Sequence, residues 1–160
     1  MYEVIRLLKR AHDMSVEQFQ IQLRERYAPV MVRLPDLKRF VLSPALPQGY
    51  ARGELIFDCL AEMWFDSADC YAAAQASPYR LECMPVERDM VDCGRAAVMP
   101  VDVYVTKETP FGPNAVKNIE FVNRRSGMDL EHFRRYWRAV HGPLAARIEL
   151  SGATSRTICA

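Results

Sequence analysis

Near its carboxyl end the sequence reads FRRYWRAVHGPLAARI (133–148), where an imidazole, an indole and four guanidinium groups fall within sixteen residues. Helical spacing places Trp137 one turn before His141, and Gly142 followed by Pro143 predicts that a helix opened by Asp129 stops there. In a last turn the helix dipole favours a protonated imidazole. Beside an aromatic wall, and near its natural titration range, such a histidine can act as general acid or base on a phenol, enol or lactone proton. The competing reading is structural, with His141 capping helix carbonyls and packing on Trp137. Arg24, Arg138 and the Arg134–Arg135 pair could bind a carboxylate; for the pair the alternative is a solvated helix face, and for Arg24 and Arg138 a structural ion pair.

A second set of candidates lies on ELIFDCLAEMWF (54–65), whose alternation predicts the longest strand of the chain. Asp58 and Glu62 fall on one face of it, and a carboxylate buried there would titrate high and could serve as a base.

Composition narrows the field. With 21 basic against 20 acidic residues, a net charge of +1 offers no electrostatic footprint for nucleic acid or an anionic membrane. Cys59, Cys70, Cys83, Cys93 and Cys159 are odd in number and lack CxxC or Cys/His spacing, which fits reduced thiols and no metal site. MYEVIRLLKR carries charge too early for a secretory segment, and no apolar run approaches the roughly 18 residues of a membrane span. The expectation is a cytoplasmic protein without an anchor.

These residues must be positioned by a small set of elements. Residues 1–8 read as a strand. Ser15 and Gln18 form a capping box ahead of a helical stripe of Val16, Phe19, Leu23 and Tyr27. LKRFVLS (37–43) is the next strand, the turn-rich LPQGY follows, and then comes the long strand at 54–65. Asp66 opens a helix, Ser77-Pro78 restarts one, Gly94 is a stop, and AVMPVDVYVTKE returns as a strand. The order is β-α-β-β-α-β, the ferredoxin-like split arrangement in the α+β class.

Residues 5–33 then recur without a gap at 119–147, with eight identities in 29 positions, among them Phe19/Phe133, Arg24/Arg138 and Pro29/Pro143. The expected organisation is a ferredoxin-like repeat at 1–107, a linker at 108–116 and an incomplete second repeat (strand, helix, strand) at 117–160. Such a half unit exposes sheet edges and an apolar face that the first domain, a second chain or further sequence must cover. Tyr27 occupies the place of His141, so its hydroxyl is the first copy's counterpart of the imidazole. The alternative for Tyr27 is a core position with its hydroxyl at the rim.

The GMDLEHF cap and the FRRYWRAVHGPLAARI helix resemble the EthD-like branch of the dimeric α+β barrel superfamily, and MSVEQFQIQLRERYAPVMVRL resembles a degenerate version of the same segment. The resemblance implies two ferredoxin-like sheets packed face to face, from two chains or two repeats, with a ligand cavity between sheet and helices. Relatives include muconolactone isomerases, polyketide cyclases, decarboxylases and haem-degrading monooxygenases. It implies a homodimer and a cofactor-independent enzyme acting on a small cyclic or aromatic compound. The catalytic candidates are His141 and Tyr27, and the substrate-binding candidates are Trp137, Arg138, Tyr136 and Asp58. A non-catalytic ligand-binding or stress-response barrel is the alternative. A haem-degrading monooxygenase, which would call for an Asn, Trp and His constellation, is a further one.

Overall fold

The computed structural model describes residues 1–107, 116–147 and 155–159, with the side chains of 106–107 and 155–159 excepted. The chain separates into two compact units, Met1–Val101 and Asp102–Ala160.

In the first unit, β1 (Tyr2–Leu8) leads into α1 (Val16–Gln22), a wide π turn (Leu23–Tyr27) and α2 (Ala28–Met31). Then come β2 (Arg39–Pro44), β3 (Cys59–Phe65), α3 (Ala68–Ala76), α4 (Pro78–Met90) and β4 (Ala97–Lys107). β1 lies antiparallel to β3 from Tyr2↔Phe65 to Leu8↔Cys59 and to β4 from Glu3↔Val101 to Leu7↔Ala97, while β2 flanks β3. The order β2-β3-β1-β4 makes this a ferredoxin-like α+β unit, as the element order predicts.

Alternation along β1 and β3 divides the core. Val4, Leu8, Ala61, Met63 and Phe65 join Phe19, Leu23, Tyr27, Met31, Cys83 and Met90 in one cluster on the helix side. Ile5, Leu7, Leu60 and Val101 form a second cluster on the other side. Both faces of these central strands are apolar, so nearly every residue of β1 and β3 is buried.

Ser15 caps α1 with the predicted box: its hydroxyl accepts from the Gln18 N–H, and the Gln18 side chain accepts from the Ser15 N–H. The helix does not end at Pro29. Pro29 has no N–H to donate, and its ring crowds the carbonyl four residues back. The helix widens by one residue to accommodate it, with the Ala28 N–H bonding Leu23 O, and continues through Met31.

The long strand is shorter than its alternation suggests and begins at Cys59. Residues 54–58 are drawn off by charge, as described below, after a 3-10 turn at Pro47–Arg52 that ends on Gly53 at a φ of 120°. Ser67 rather than Asp66 caps α3. The longest strand is β4.

In the second unit, residues 102–107 of β4 pair antiparallel with β5 (Ser155–Cys159). α5 (Leu130–Tyr136) passes through a π turn (Trp137–His141) into α6 (Gly142–Ala146). Gly142 does not stop this helix. It is helical itself, and its N–H bonds Trp137 O, the same accommodation of a following proline as at Pro29. The strand expected at the start of the second repeat is not seen: residues 117–123 form no regular element. Apart from Val116, the expected linker lies outside the described residues. No helix among the described residues is long and apolar enough to cross a membrane. Cys59, Cys70, Cys83 and Cys93 are free thiols.

Candidate functional site

The helix side of the first unit holds a buried cluster of charge. Arg6 comes from β1, Tyr27 from the π turn, and Arg80 and Glu87 from α4, where a spacing of seven puts them on one helix face. The Tyr27 hydroxyl accepts a hydrogen bond of 3.1 Å from Arg6 Nη1, which also pairs with Glu87. Arg80 Nη2 closes on the other Glu87 oxygen at 2.6 Å. Burial pushes the Glu87 carboxyl up, but the hydrogen bonds and charges of Arg6 and Arg80 outweigh this and hold it below its ordinary value. Burial alone would lower the Arg6 guanidinium, and Tyr27 and Glu87 reverse that. Burial pushes the Tyr27 phenol well up, so it stays protonated.

Tyr27 is 1% exposed, so its hydroxyl lies inside the core and not at its rim. Arg6, Arg80 and Glu87 are not legible as a group in the sequence, because the partners lie up to 81 positions apart. One signal was available. Glu87 stands between Cys83 and Met90 on the buried stripe of α4, where a carboxylate requires a cation.

Asp58 closes a second network. Its carboxylate accepts from Tyr50 Oη at 2.6 Å, Arg10 Nη1 at 2.7 Å and the Arg10 backbone N–H at 2.9 Å, and pairs with Lys9 Nζ at 3.0 Å. Glu54 joins the same two cations, at 2.9 Å from Lys9 and 2.5 Å from Arg10. Burial pushes the Asp58 carboxyl up, yet the hydrogen bonds from Tyr50, the Arg10 N–H and Lys9 prevail and lower it. The expectation of a high-titrating base at Asp58 is therefore corrected. Hydrogen bonds from Arg10 and Lys9 bring Glu54 down to about 2. These attractions fold 54–58 back onto the end of β1, where a strand was expected. Glu62 remains in β3, buried opposite Ile5.

The remaining candidates belong to the second unit. Asp129 caps α5, its carboxylate accepting from the His132 N–H at 2.7 Å. Phe133, Trp137 and His141 then form a ladder of rings, with centroids 5.4 Å apart for the first pair and 4.0 Å for the stacked second pair. Because the helix continues into α6, His141 stands within it, and the argument from a last-turn dipole does not apply. The stacking on Trp137 does hold. His141 and Tyr136 are exposed, Trp137 is half-buried, and the Arg138 guanidinium stands 5.9 Å from the Tyr104 ring centroid.

The two helices share more than aligned residues. Both have a side-chain N-cap (Ser15, Asp129), a π turn (Leu23–Tyr27, Trp137–His141) and a proline at the second residue after it, at positions 114 apart. Phe19, Leu23 and Tyr27 are buried, whereas Phe133 and Trp137 are half-buried and His141 is exposed. Tyr27 and Asp58 are thus held in two separate networks of the first unit, while Tyr136, Trp137, Arg138 and His141 share one helix of the second. Among the described residues no group of three or more His, Cys, Asp or Glu side chains could hold a metal ion.

The sequence pattern of the EthD domain matches residues 11–93, just over half of the chain. No curated protein matches it. Among solved structures, an ethyl tert-butyl ether D (EthD) family protein of Bacillus halodurans C-125 is 19% identical, with a TM-score of 0.50 over 62% of this chain and 95% of its own. A dimeric protein of ferredoxin-like fold from Bacteroides fragilis is 14% identical, with a TM-score of 0.47 over 62% of this chain and 92% of its own. A dimeric ferredoxin-like protein of Thermobifida fusca is 20% identical, with a TM-score of 0.45 over 62% and 87%. At these identities the likeness concerns the fold alone.

Proposed function

The chain belongs to the EthD domain family, and from that premise we propose that it is a cofactor-independent enzyme acting by acid/base chemistry on a small cyclic or aromatic compound. His141 is the acid/base group, and Trp137, Tyr136 and Arg138 bind the substrate. The observation that carries the reading is the exposed imidazole of His141 stacked at 4.0 Å on Trp137. The indole fixes one face of the ring and leaves its edge nitrogens to exchange protons with a bound phenol, enol or lactone. Tyr27 and Asp58 serve the framework, since each is committed to buried ion-paired partners.

Cofactor-free turnover of a panel of lactones and polyphenols, compared between the natural chain and His141→Ala, tests the proposal. Turnover unchanged by the substitution would remove His141 from the chemistry. A second reading, a barrel that binds a ligand without transforming it, draws support from the same commitment of Tyr27 and Asp58, which leaves His141 without a second acid/base group from the candidate set. Ligand binding without turnover in the natural chain would select it. The haem reading has less support, because it draws on Trp137 and His141 alone of the Asn, Trp and His constellation it calls for. A haemin titration without a Soret shift excludes it.

We also propose that the protein works in the cytoplasm as a homodimer. The second unit leaves Val122, Leu130, Val140 and Leu144 each more than 40% exposed, which is the apolar surface a second copy would cover. A stable monomer in sedimentation at micromolar concentration would contradict it.

A further inference from the structure

A different face of the same helix sets three arginines against a single carboxylate, Glu131. Arg134, Arg135 and Arg138 line an open cleft of about 550 Å³ together with Glu131, Ala139 and Tyr104 of β4, all within the second unit. None of the three forms an ion pair among the described residues. Arg134 Nε is buried and has no hydrogen-bond partner among the described residues. Like charges four apart on a helix, here Arg134 and Arg138, oppose its formation, and a buried guanidinium N–H without an acceptor costs free energy. Both penalties disappear when an anion enters. A guanidinium offers parallel N–H donors in a fixed fork that matches the two oxygens of a carboxylate or phosphate group.

We propose that this cleft binds a small organic molecule through an oxyanion group, with Arg134 and Arg138 as its principal donors and Tyr104 as a flat wall for the organic part. The volume suits a small molecule. A polyanion is disfavoured, since the chain as a whole carries a net charge of only +1. The cleft shares Arg138 with the residues proposed to bind the substrate of His141, but no member of the Phe133–Trp137–His141 ladder lines it, so it does not rest on the role proposed for His141.

The test is an NMR titration of the 15N-labelled chain with sodium benzoate and, separately, sodium phosphate, following the Arg134 Nε–Hε resonance at constant ionic strength. The expected result is a saturable shift with at least one of the two, at a dissociation constant of about 1 mM, a value within reach of so small a probe. Tighter binding of benzoate identifies a carboxylate ligand, and tighter binding of phosphate a phosphate ester. Arg134→Gln weakens the binding about tenfold or more, read from the remaining arginine resonances, whereas Arg88→Gln, an exposed position on α4, leaves it unchanged. No saturable shift with either anion, or equal weakening by the two substitutions, would overturn the proposal.

Discussion

Glu87→Gln is the most informative perturbation of the framework. Glu87 is 6% exposed and lies between two guanidinium groups whose side chains are 13% and 14% exposed. Glutamine keeps the volume and one acceptor oxygen but turns an NH2 group toward one of the arginines, leaving a buried cation that faces a donor. Removing one partner of a buried pair costs about 3–5 kcal/mol; the retained oxygen argues for about 3 kcal/mol here. With a urea m-value of about 2 kcal/mol/M, the midpoint should fall by about 1.5 M at neutral pH. Equilibrium urea unfolding followed by far-UV circular dichroism measures it. Replacing the whole cluster with Arg6→Met, Arg80→Met and Glu87→Leu should recover most of the loss, because no charge is then left buried. A shift in Glu87→Gln below about 0.3 M would refute the assignment of the cluster as a coupled, buried unit.

Asp58→Asn should cost about 3 kcal/mol and not more, because Glu54 still pairs with Lys9 and Arg10; the urea midpoint reports it. Acid should destabilise the natural chain. Glu87 and Asp58 both have folded pKa values below their unfolded ones, so their stabilisation is fully present above about pH 5 and is lost as pH falls through the folded values. Urea midpoints measured from pH 6 down to 3 should therefore decline in the natural chain and decline less steeply in Glu87→Gln. Equal slopes would show that the Glu87 carboxylate is not linked to folding. Tyr27→Phe removes one neutral acceptor while Arg6 keeps Glu87, so the cost is about 1 kcal/mol in the same unfolding assay.

Local chemistry was legible in the sequence to a useful depth. The Ser15–Gln18 capping box, the Ser77-Pro78 restart and the β-α-β-β-α-β order could be read because each depends on neighbouring residues. Gly142-Pro143 reads as a helix stop, yet that helix continues, as does the first one through Pro29. A proline needs only one missing hydrogen bond and room for its ring, and a π turn supplies both. Residues 54–58 alternate as a strand should, but Lys9 and Arg10 claim Glu54 and Asp58 from 44 or more positions away, which no local pattern reports. The Arg6–Tyr27–Glu87–Arg80 cluster escaped for the same reason. Of the candidate residues, Trp137 and His141 meet as their one-turn spacing predicts, whereas Tyr27 and Asp58 were placed by burial that spacing could not foresee.

The central claim is that chemistry resides on the second helix and that Tyr27 belongs to the framework. Its most direct test is kcat/KM on one turned-over phenol or lactone for the natural chain, Tyr27→Phe and His141→Ala, each verified as folded. The account predicts a loss of about 10²–10⁴ for His141→Ala, the range for a lost general acid/base, and less than about threefold for Tyr27→Phe. The reverse order, with Tyr27→Phe inactive and His141→Ala unimpaired, would contradict it.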